Sequence, residues 1–307
     1  MTNPFEPDAG SSRFGYAALI GRANVGKSTL LNRLVGEKLA IISDVPQTTR
    51  HRILGVRHLP GGQIAFVDAP GFHRPQHQLG ELLIERARAA AEECDVVLWV
   101  IDASAGLGPG DRFVFEHLRT AGSSRPVVLV PNKIDQMNKG KLLPLIEAGI
   151  EKWGCRAAVP VSAKTGENCD RLLETVLELL PVGRPMFPPD YLTDQQDRML
   201  AAEIVREKLL ERLRQEVPHA IAVQVERMGE RDDGLLVIEA LICVERQSQK
   251  KIVIGRGGAL LKQVGTSARK ELEQRFGRRL LLTLWVKVRE DWRDRLASLR
   301  DLGVYPS

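Results

Sequence analysis

Along the first 180 positions, apolar residues come in short, near-continuous runs at 16–20, 63–68, 96–102, 127–132 and 157–161. Runs of that length predict parallel strands covered on both faces. Between them, apolar residues recur every three to four positions over 27–35, 79–92, 111–120, 139–152 and 169–180, which predicts helices with one buried face. A further run, 52–58, joins 63–68 through Pro60-Gly61-Gly62 and predicts an antiparallel edge hairpin. Alternating strands and helices predict an α/β unit with a doubly wound, mostly parallel sheet, whose ligands sit at the C-terminal strand ends.

The pattern then changes. Four prolines and a glycine within 181–189 predict a linker. Thr193-Asp194-Gln195-Gln196 reads as a capping box opening a long helix to about 216, with Ala202, Val205, Leu209 and Leu213 on one face. Strands are expected at 220–227 and 235–246, then an apolar run at 251–254, a glycine loop and a helix to about 276. A strictly alternating strand at 280–289 and a helix at 291–300 close the chain. This second unit is expected to be α+β with mainly antiparallel pairing. The layout predicted is a tail at 1–13, a first domain at 14–181, a linker at 182–192 and a second domain at 193–307.

Composition refines this picture at four points. A length of 307 residues suits about two domains. No apolar run reaches the roughly 20 residues that span a bilayer, and the polar start lacks the apolar core of a signal peptide. Cys94, Cys155, Cys169 and Cys243 are scattered, so reduced, buried thiols of a cytoplasmic protein are expected, not a zinc site. Charge is uneven: residues 1–190 hold 22 basic against 21 acidic residues, whereas 246–279 hold ten basic against Glu271 and Glu273. A stripe of that density points to a phosphate-rich partner.

The chemistry starts at Gly21-Arg22-Ala23-Asn24-Val25-Gly26-Lys27-Ser28-Thr29, between a predicted strand and a predicted helix. In that context G-x-x-x-x-G-K-S is a phosphate loop: backbone N–H groups cradle the anion, Lys27 reaches the β and γ phosphates and Ser28 ligates Mg²⁺. Asp68-Ala69-Pro70-Gly71 closes a later strand, where Asp68 holds Mg²⁺ through water and the Gly71 N–H meets the γ-phosphate. Between them lies Thr48-Thr49, of which Thr49 is favoured as the residue completing the metal shell while the γ-phosphate is present. The base is guanine. Asp135 of Asn132-Lys133-Ile134-Asp135 accepts from guanine N1–H and N2–H₂, Asn132 braces the loop, and the stem of Lys133 covers the ring. Ser162-Ala163-Lys164 follows the next strand and places the Ala163 N–H for guanine O6. In the second unit, Gly255-Arg256-Gly257-Gly258 fits a GXXG loop that clamps nucleic-acid backbone, with Lys250, Lys251, Arg256, Lys262, Arg269 and Lys270 around it.

These motifs in this order, followed by a Pro-rich stretch and a basic α+β unit, resemble the bacterial Era GTPase family over about residues 16–305. The second-unit match is carried by 245–258 and by Leu284-Trp285-Val286-Lys287-Val288. Ala23 stands where the family usually has proline and Ala69 where threonine is usual; neither change removes a ligand. The resemblance implies a P-loop GTPase domain, a smaller KH domain of type II, and a switch that turns GTP into GDP with Mg²⁺. It implies binding to the 3′ end of 16S rRNA on the maturing small subunit, with base edges read beside the glycine loop by backbone groups of Ile252–Ile254 and an RNA-binding set of Lys250, Lys251, Ile252, Ile254, Gly255, Arg256, Gly257, Gly258 and Lys262. A monomer, cytoplasmic or peripheral to the inner membrane face, is expected. Phe72 occupies the place where Ras-like proteins carry a water-orienting glutamine, and the adjacent His73 and Arg74 read better as surface loop residues. The resemblance therefore assigns Asn24 a K⁺ beside the phosphates, and the candidate catalytic set is Asn24, Lys27 and Thr49. Two other readings stay open: a membrane-associated or cell-cycle GTPase using its basic unit on lipid or protein, and an ATP-dependent kinase, which Asn132 and Asp135 disfavour.

Overall fold

Strand β1 (Arg13–Ile20) shows how the first unit is built. Its residues alternate between two cores: Ala17 and Leu19 pack with helices α1 (Lys27–Val35) and α5 (Cys169–Leu179), Ala18 and Ile20 with α2 (Gln78–Glu93) and α3 (Pro109–Thr120). A strand apolar on both faces can serve both layers, and that is why its sequence is a continuous run. The other strands are β2 (Ile53–Leu59), β3 (Gly62–Asp68), β4 (Val96–Asp102), β5 (Val127–Asn132) and β6 (Ala157–Ala158), in sheet order β2-β3-β1-β4-β5-β6. All pairs are parallel except β2 with β3, the predicted edge hairpin. The computed structural model describes residues 12–45, 48–72, 77–120 and 125–304. The chain divides into two compact units, the first made of residues 1–40, 47–74 and 83–194, the second of 195–307 together with the segments 41–46 and 75–82.

Some boundaries differ from expectation for local reasons. The run 157–161 gives only a two-residue strand, because Pro160 lacks a donor, although Val159 and Val161 still donate to Leu129 O and Pro131 O at 2.9 and 2.8 Å. The predicted helix at 139–152 breaks into a 3₁₀ turn, α4 (Leu142–Glu147) and a π turn. The segment 182–192 lies against the first unit. Gln63, fully buried, accepts from the N–H groups of Met186 and Phe187 at 3.1 and 3.0 Å and donates to Phe187 O at 2.9 Å; Val56 N donates to Leu192 O at 2.8 Å. Prolines remove donors from this segment, and its remaining N–H groups are the ones used.

The second unit has three strands, β7 (Ala222–Glu230), β8 (Leu236–Val244) and β9 (Leu280–Val288). Its pairing corrects the expectation of mainly antiparallel strands: β7–β8 is antiparallel and β8–β9 parallel. Two helices, α7 (Gln247–Ile254) and α8 (Ala259–Phe276), separate β8 from β9, and such a crossover returns a strand parallel. The run 251–254 is thus the last turn of a helix, α7, whose start is fixed by Gln249 Oε1 accepting from Glu245 N and Arg246 N at 2.9 and 3.0 Å. The expected capping box at 193–196 does not form: α6 (Asp197–Leu210) starts after Gln196, which makes no side-chain cap. Val205 and Leu209 of α6, Ile238 and Ile242 of β8 and Val264, Ala268 and Leu272 of α8 form the core. Trp292 lies fully buried with its indole N–H donating to Ala220 O at 2.9 Å, whereas Trp285 is 46% exposed. A short helix, α9 (Leu296–Asp301), follows.

Candidate functional site

The loop between β1 and α1 is built on left-handed backbone at Asn24 (φ 63°) and Gly26 (φ 93°). Glycine is needed at Gly21 for space and at Gly26 for space as well as conformation: a Cβ on Gly21 would meet Val100 O at 2.2 Å, and one on Gly26 would meet Asn132 Nδ2 at 2.4 Å. Lys27 is the first residue of α1, 6% exposed, and donates to Gly21 O and Arg22 O at 3.2 and 2.9 Å. Burial lowers its ammonium to a pKa of about 8, against the opposing pull of Asp68. Thr29, half-buried, completes the first turn.

Three oxygens converge below Lys27. Ser28 Oγ donates to Asp68 Oδ2 at 2.7 Å and lies 2.8 Å from Thr49 Oγ1, which lies 3.4 Å from Asp68 Oδ2. Asp68 is fully buried, and its Oδ1 has no hydrogen-bond partner among the described residues. Burial raises its pKa, opposed by Lys27, Ser28 and Thr49. An orphaned carboxylate oxygen beside two hydroxyls is a hard oxygen donor set, and it fits Mg²⁺. Thr49, not Thr48, contributes the hydroxyl here. Gly71 lies against the loop: a Cβ there would come within 2.9 Å of Ala23 N and 3.1 Å of Lys27 Nζ, and Phe72 N donates to Gly21 O at 3.1 Å. Phe72 itself is 3% exposed in the core. His73 and Arg74 lie outside the described residues.

The two base-reading stretches meet at Asn132. Its Nδ2 donates to Val25 O and its Oδ1 accepts from Ala163 N, both at 2.9 Å. The Ala163 N–H, expected to face guanine O6, thus has a protein acceptor in Asn132. Ser162 Oγ donates to Asp135 Oδ1 at 2.7 Å, which leaves Oδ2 of that carboxylate outside the bond. Lys133, in left-handed conformation, donates to Asn24 O and Asp102 Oδ2 at 2.8 and 2.7 Å, which stretches its stem across the loop.

Three positioning residues escaped sequence reasoning. Asp102, at the end of β4, anchors Lys133; burial pushes its carboxyl up, but bonds from Lys133 and Ser104 bring it down overall. Asp111, fully buried, takes Arg22 Nε at 2.7 Å and Gly108 N at 3.0 Å. Arg33 of α1 donates to Ala163 O and Lys164 O at 3.1 and 2.7 Å, holding the Ser162-Ala163-Lys164 stretch in place. Only Asp102 had a signal, its place at a C-terminal strand end.

In the second unit the glycine loop joins α7 to α8. Gly255, Gly257 and Gly258 have φ of 75°, 57° and 80°. A Cβ on Gly255 would meet Leu260 N at 2.9 Å, whereas Gly257 and Gly258 have nothing within 4 Å of that position, so backbone is open to approach there. Lys251, Ile252, Arg256 and Lys262 are exposed; Lys250, Ile254, Gly255 and Gly258 are half-buried. Ile252 and Ile254 are helical, so the carbonyls of the last turn of α7, rather than a strand edge, are the backbone groups beside the loop.

Comparison with known proteins agrees with both halves. A family described as "50S ribosome-binding GTPase" matches residues 16–133, and "KH domain" matches residues 216–293. The GTPase Era of Lacticaseibacillus paracasei is 46% identical over 289 residues, 94% of this chain and 96% of that protein. The GTPase Era of Geobacter metallireducens is 46% identical over 302 residues, 98% of each chain. Among solved structures, Era in complex with MgGDPNP and nucleotides 1506–1542 of 16S ribosomal RNA matches with TM-score 0.93 and 43% identity, covering 96% of this chain and all of that one. A point variant of Aquifex aeolicus Era bound to GDP·AlF₄⁻ matches with TM-score 0.92 and 44% identity, again covering 96% of this chain and all of that one. Identity of this level along nearly the whole chain, with the residues predicted to hold phosphate, metal and base gathered at one end of the sheet, places the chain in the Era family of GTPases.

Proposed function

We propose that this GTPase binds GTP and GDP at the loop 21–29 with Mg²⁺ on Ser28, Thr49 and Asp68, and that its GTP form holds the 3′ end of 16S rRNA through the KH unit during assembly of the small ribosomal subunit. The observation that carries the nucleotide half is the convergence of Ser28 Oγ, Thr49 Oγ1 and the buried Asp68, whose Oδ1 is orphaned. The metal supplies charge neutralisation of the β and γ phosphates. Phosphate oxygens take over the bonds that Lys27 makes to Gly21 O and Arg22 O, and its charge is worth more there because the site is buried. Thr49 joins only while the γ-phosphate is present, so hydrolysis releases the segment that carries it. Asp135 Oδ2 and the Asn132–Ala163 brace select guanine. With Phe72 in the core, the position that carries the water-orienting glutamine in Ras-like proteins supplies no polar group, and K⁺ at Asn24 stabilises the transition-state charge instead.

The RNA half rests on the open backbone at Gly257 and Gly258 between exposed Arg256 and Lys262. The protein acts as a cytoplasmic monomer in this reading. Filter binding of small-subunit RNA 3′-end oligonucleotides, with GTP analogue against GDP at two salt concentrations, tests it. Tighter, salt-sensitive binding with the analogue, lost in Gly257→Asp/Gly258→Asp, is expected. Undiminished RNA binding by that variant refutes the KH reading; binding to anionic vesicles in place of RNA supports the membrane alternative.

A further inference from the structure

A cavity of about 610 Å³ opens on the first unit at the end of the sheet opposite the nucleotide residues. Val97 and Val127 lie at its edge, while Asp102 and Asn132 close the same two strands five residues further on, about 17 Å away at the rise of a β-strand. That volume is in the range of small-molecule sites. Its wall is aromatic. The lining rings Phe115 and Trp153 stand 4.9 Å apart at 79°, and both pack on Trp99, which is buried in the core and does not itself line the cavity, at 4.7 and 5.6 Å. Among the described residues its charged lining is of one sign: Arg119, Arg125 and Arg156 line the cavity, with no acidic residue beside them. Arg125 Nη1 donates to Ala91 O at 3.2 Å, which steers its guanidinium, and Arg119 lies 5.8 Å from the centre of the Phe115 ring. Arg119 and Arg156 are exposed.

Phe115, Trp153 and the aliphatic lining offer apolar contact to a ligand body, and the Arg119, Arg125 and Arg156 side chains are of the type suited to carboxylate, sulfonate or phosphate oxygens. We propose that this cavity is a second ligand site of the GTPase domain, one that takes a small organic anion with an aromatic body. Neither the nucleotide residues nor the glycine loop line it, so its occupancy is separate from both. Cys155 also lines it, but burial holds that thiol at a pKa of about 12, so the site is for binding and not for thiol chemistry.

The test uses the full chain saturated with GDP and Mg²⁺, so that the nucleotide site is filled. The probe is 8-anilinonaphthalene-1-sulfonate, followed by its own emission, against the uncharged N-phenyl-1-naphthylamine. The expected result is saturable one-to-one binding of the sulfonate. Its dissociation constant should rise roughly tenfold in Arg119→Glu/Arg156→Glu and in Ile150→Trp, which adds bulk at the cavity mouth, with GDP affinity unchanged. The uncharged probe should bind at least roughly tenfold more weakly to the unaltered chain, a comparison that needs no variant to fold. Equal binding of the two probes, no saturable binding, or full displacement of the sulfonate by millimolar inorganic phosphate overturns the proposal.

Discussion

Replacing Gly26 with alanine separates two costs that the fold imposes on the phosphate loop. The first is backbone. At φ 93° a Cβ is disfavoured by about 1 kcal/mol. The second is contact. The added carbon would stand 2.4 Å from Asn132 Nδ2, and Asn132 is 1% exposed and bonded at both ends, to Val25 O and Ala163 N, at 2.9 Å each. It cannot swing aside without giving up both bonds, at about 1 kcal/mol each. The total is about 3 kcal/mol. Gly61 supplies the control: φ is 91° and nothing lies within 4 Å of an added Cβ, so Gly61→Ala carries only the backbone cost of about 1 kcal/mol. Urea unfolding without nucleotide measures both. Gly26→Ala should lose about three times the stability that Gly61→Ala loses. Because the displaced amide also braces the base-reading stretch, GDP affinity should fall by more than about tenfold in the first variant and stay unchanged in the second. Equal stability losses, or unchanged GDP affinity in Gly26→Ala, would refute the reasoning.

Arg33→Ala should speed GDP dissociation by about tenfold while leaving association unchanged, because it frees the carbonyls of Ala163 and Lys164 without touching the entry path; a fluorescent-nucleotide chase reads this, and an unchanged off-rate counts against a positioning role. GTP hydrolysis should be faster in K⁺ than in Na⁺, and Asn24→Ala should abolish the difference; equal rates in both salts for the unaltered chain sink the cation assignment. None of the four thiols should react quickly with a disulfide reagent at pH 8 until denaturant is added, since all are buried, with Cys94 and Cys155 held at a pKa of about 12 and Cys169 at about 11. The same shifts make stability fall as pH rises above the ordinary thiol value of 9.0: unfolded thiols ionise there while the folded ones keep their protons, which favours the unfolded chain.

What the sequence revealed and what it hid divide along a physical line. Residues that touch a ligand must be a particular chemical type at a particular offset from a strand end, so Lys27, Ser28, Asp68 and Asp135 stood out by spacing alone. The sheet was legible for a similar reason, since parallel strands covered on both faces must be apolar throughout, and β1, β3, β4 and β5 fell where the runs did. The second unit was harder. The 251–254 run is apolar enough for a strand, and only its continuation from Gln247, capped by Gln249, makes it a helix; short apolar runs do not distinguish the two. That ambiguity also hid the parallel return of β9. Arg33 was hidden more deeply. Its partners are backbone carbonyls 130 and 131 positions away, and a carbonyl carries no record of which residue it belongs to. Any long cationic side chain on that face of α1 could reach them, so no spacing marks the arginine. Asp111 was masked in the opposite way: an acid in the first turn of a helix reads as ordinary dipole compensation, and its role as the anchor of Arg22 exists only once α3 is folded beside the loop. A guanine nucleotide site of this kind is therefore half written in motifs and half in contacts that only the closed sheet creates. Substitutions in that second half should change nucleotide off-rates before they change chemistry, because they hold the stretches that hold the base and phosphates while touching neither.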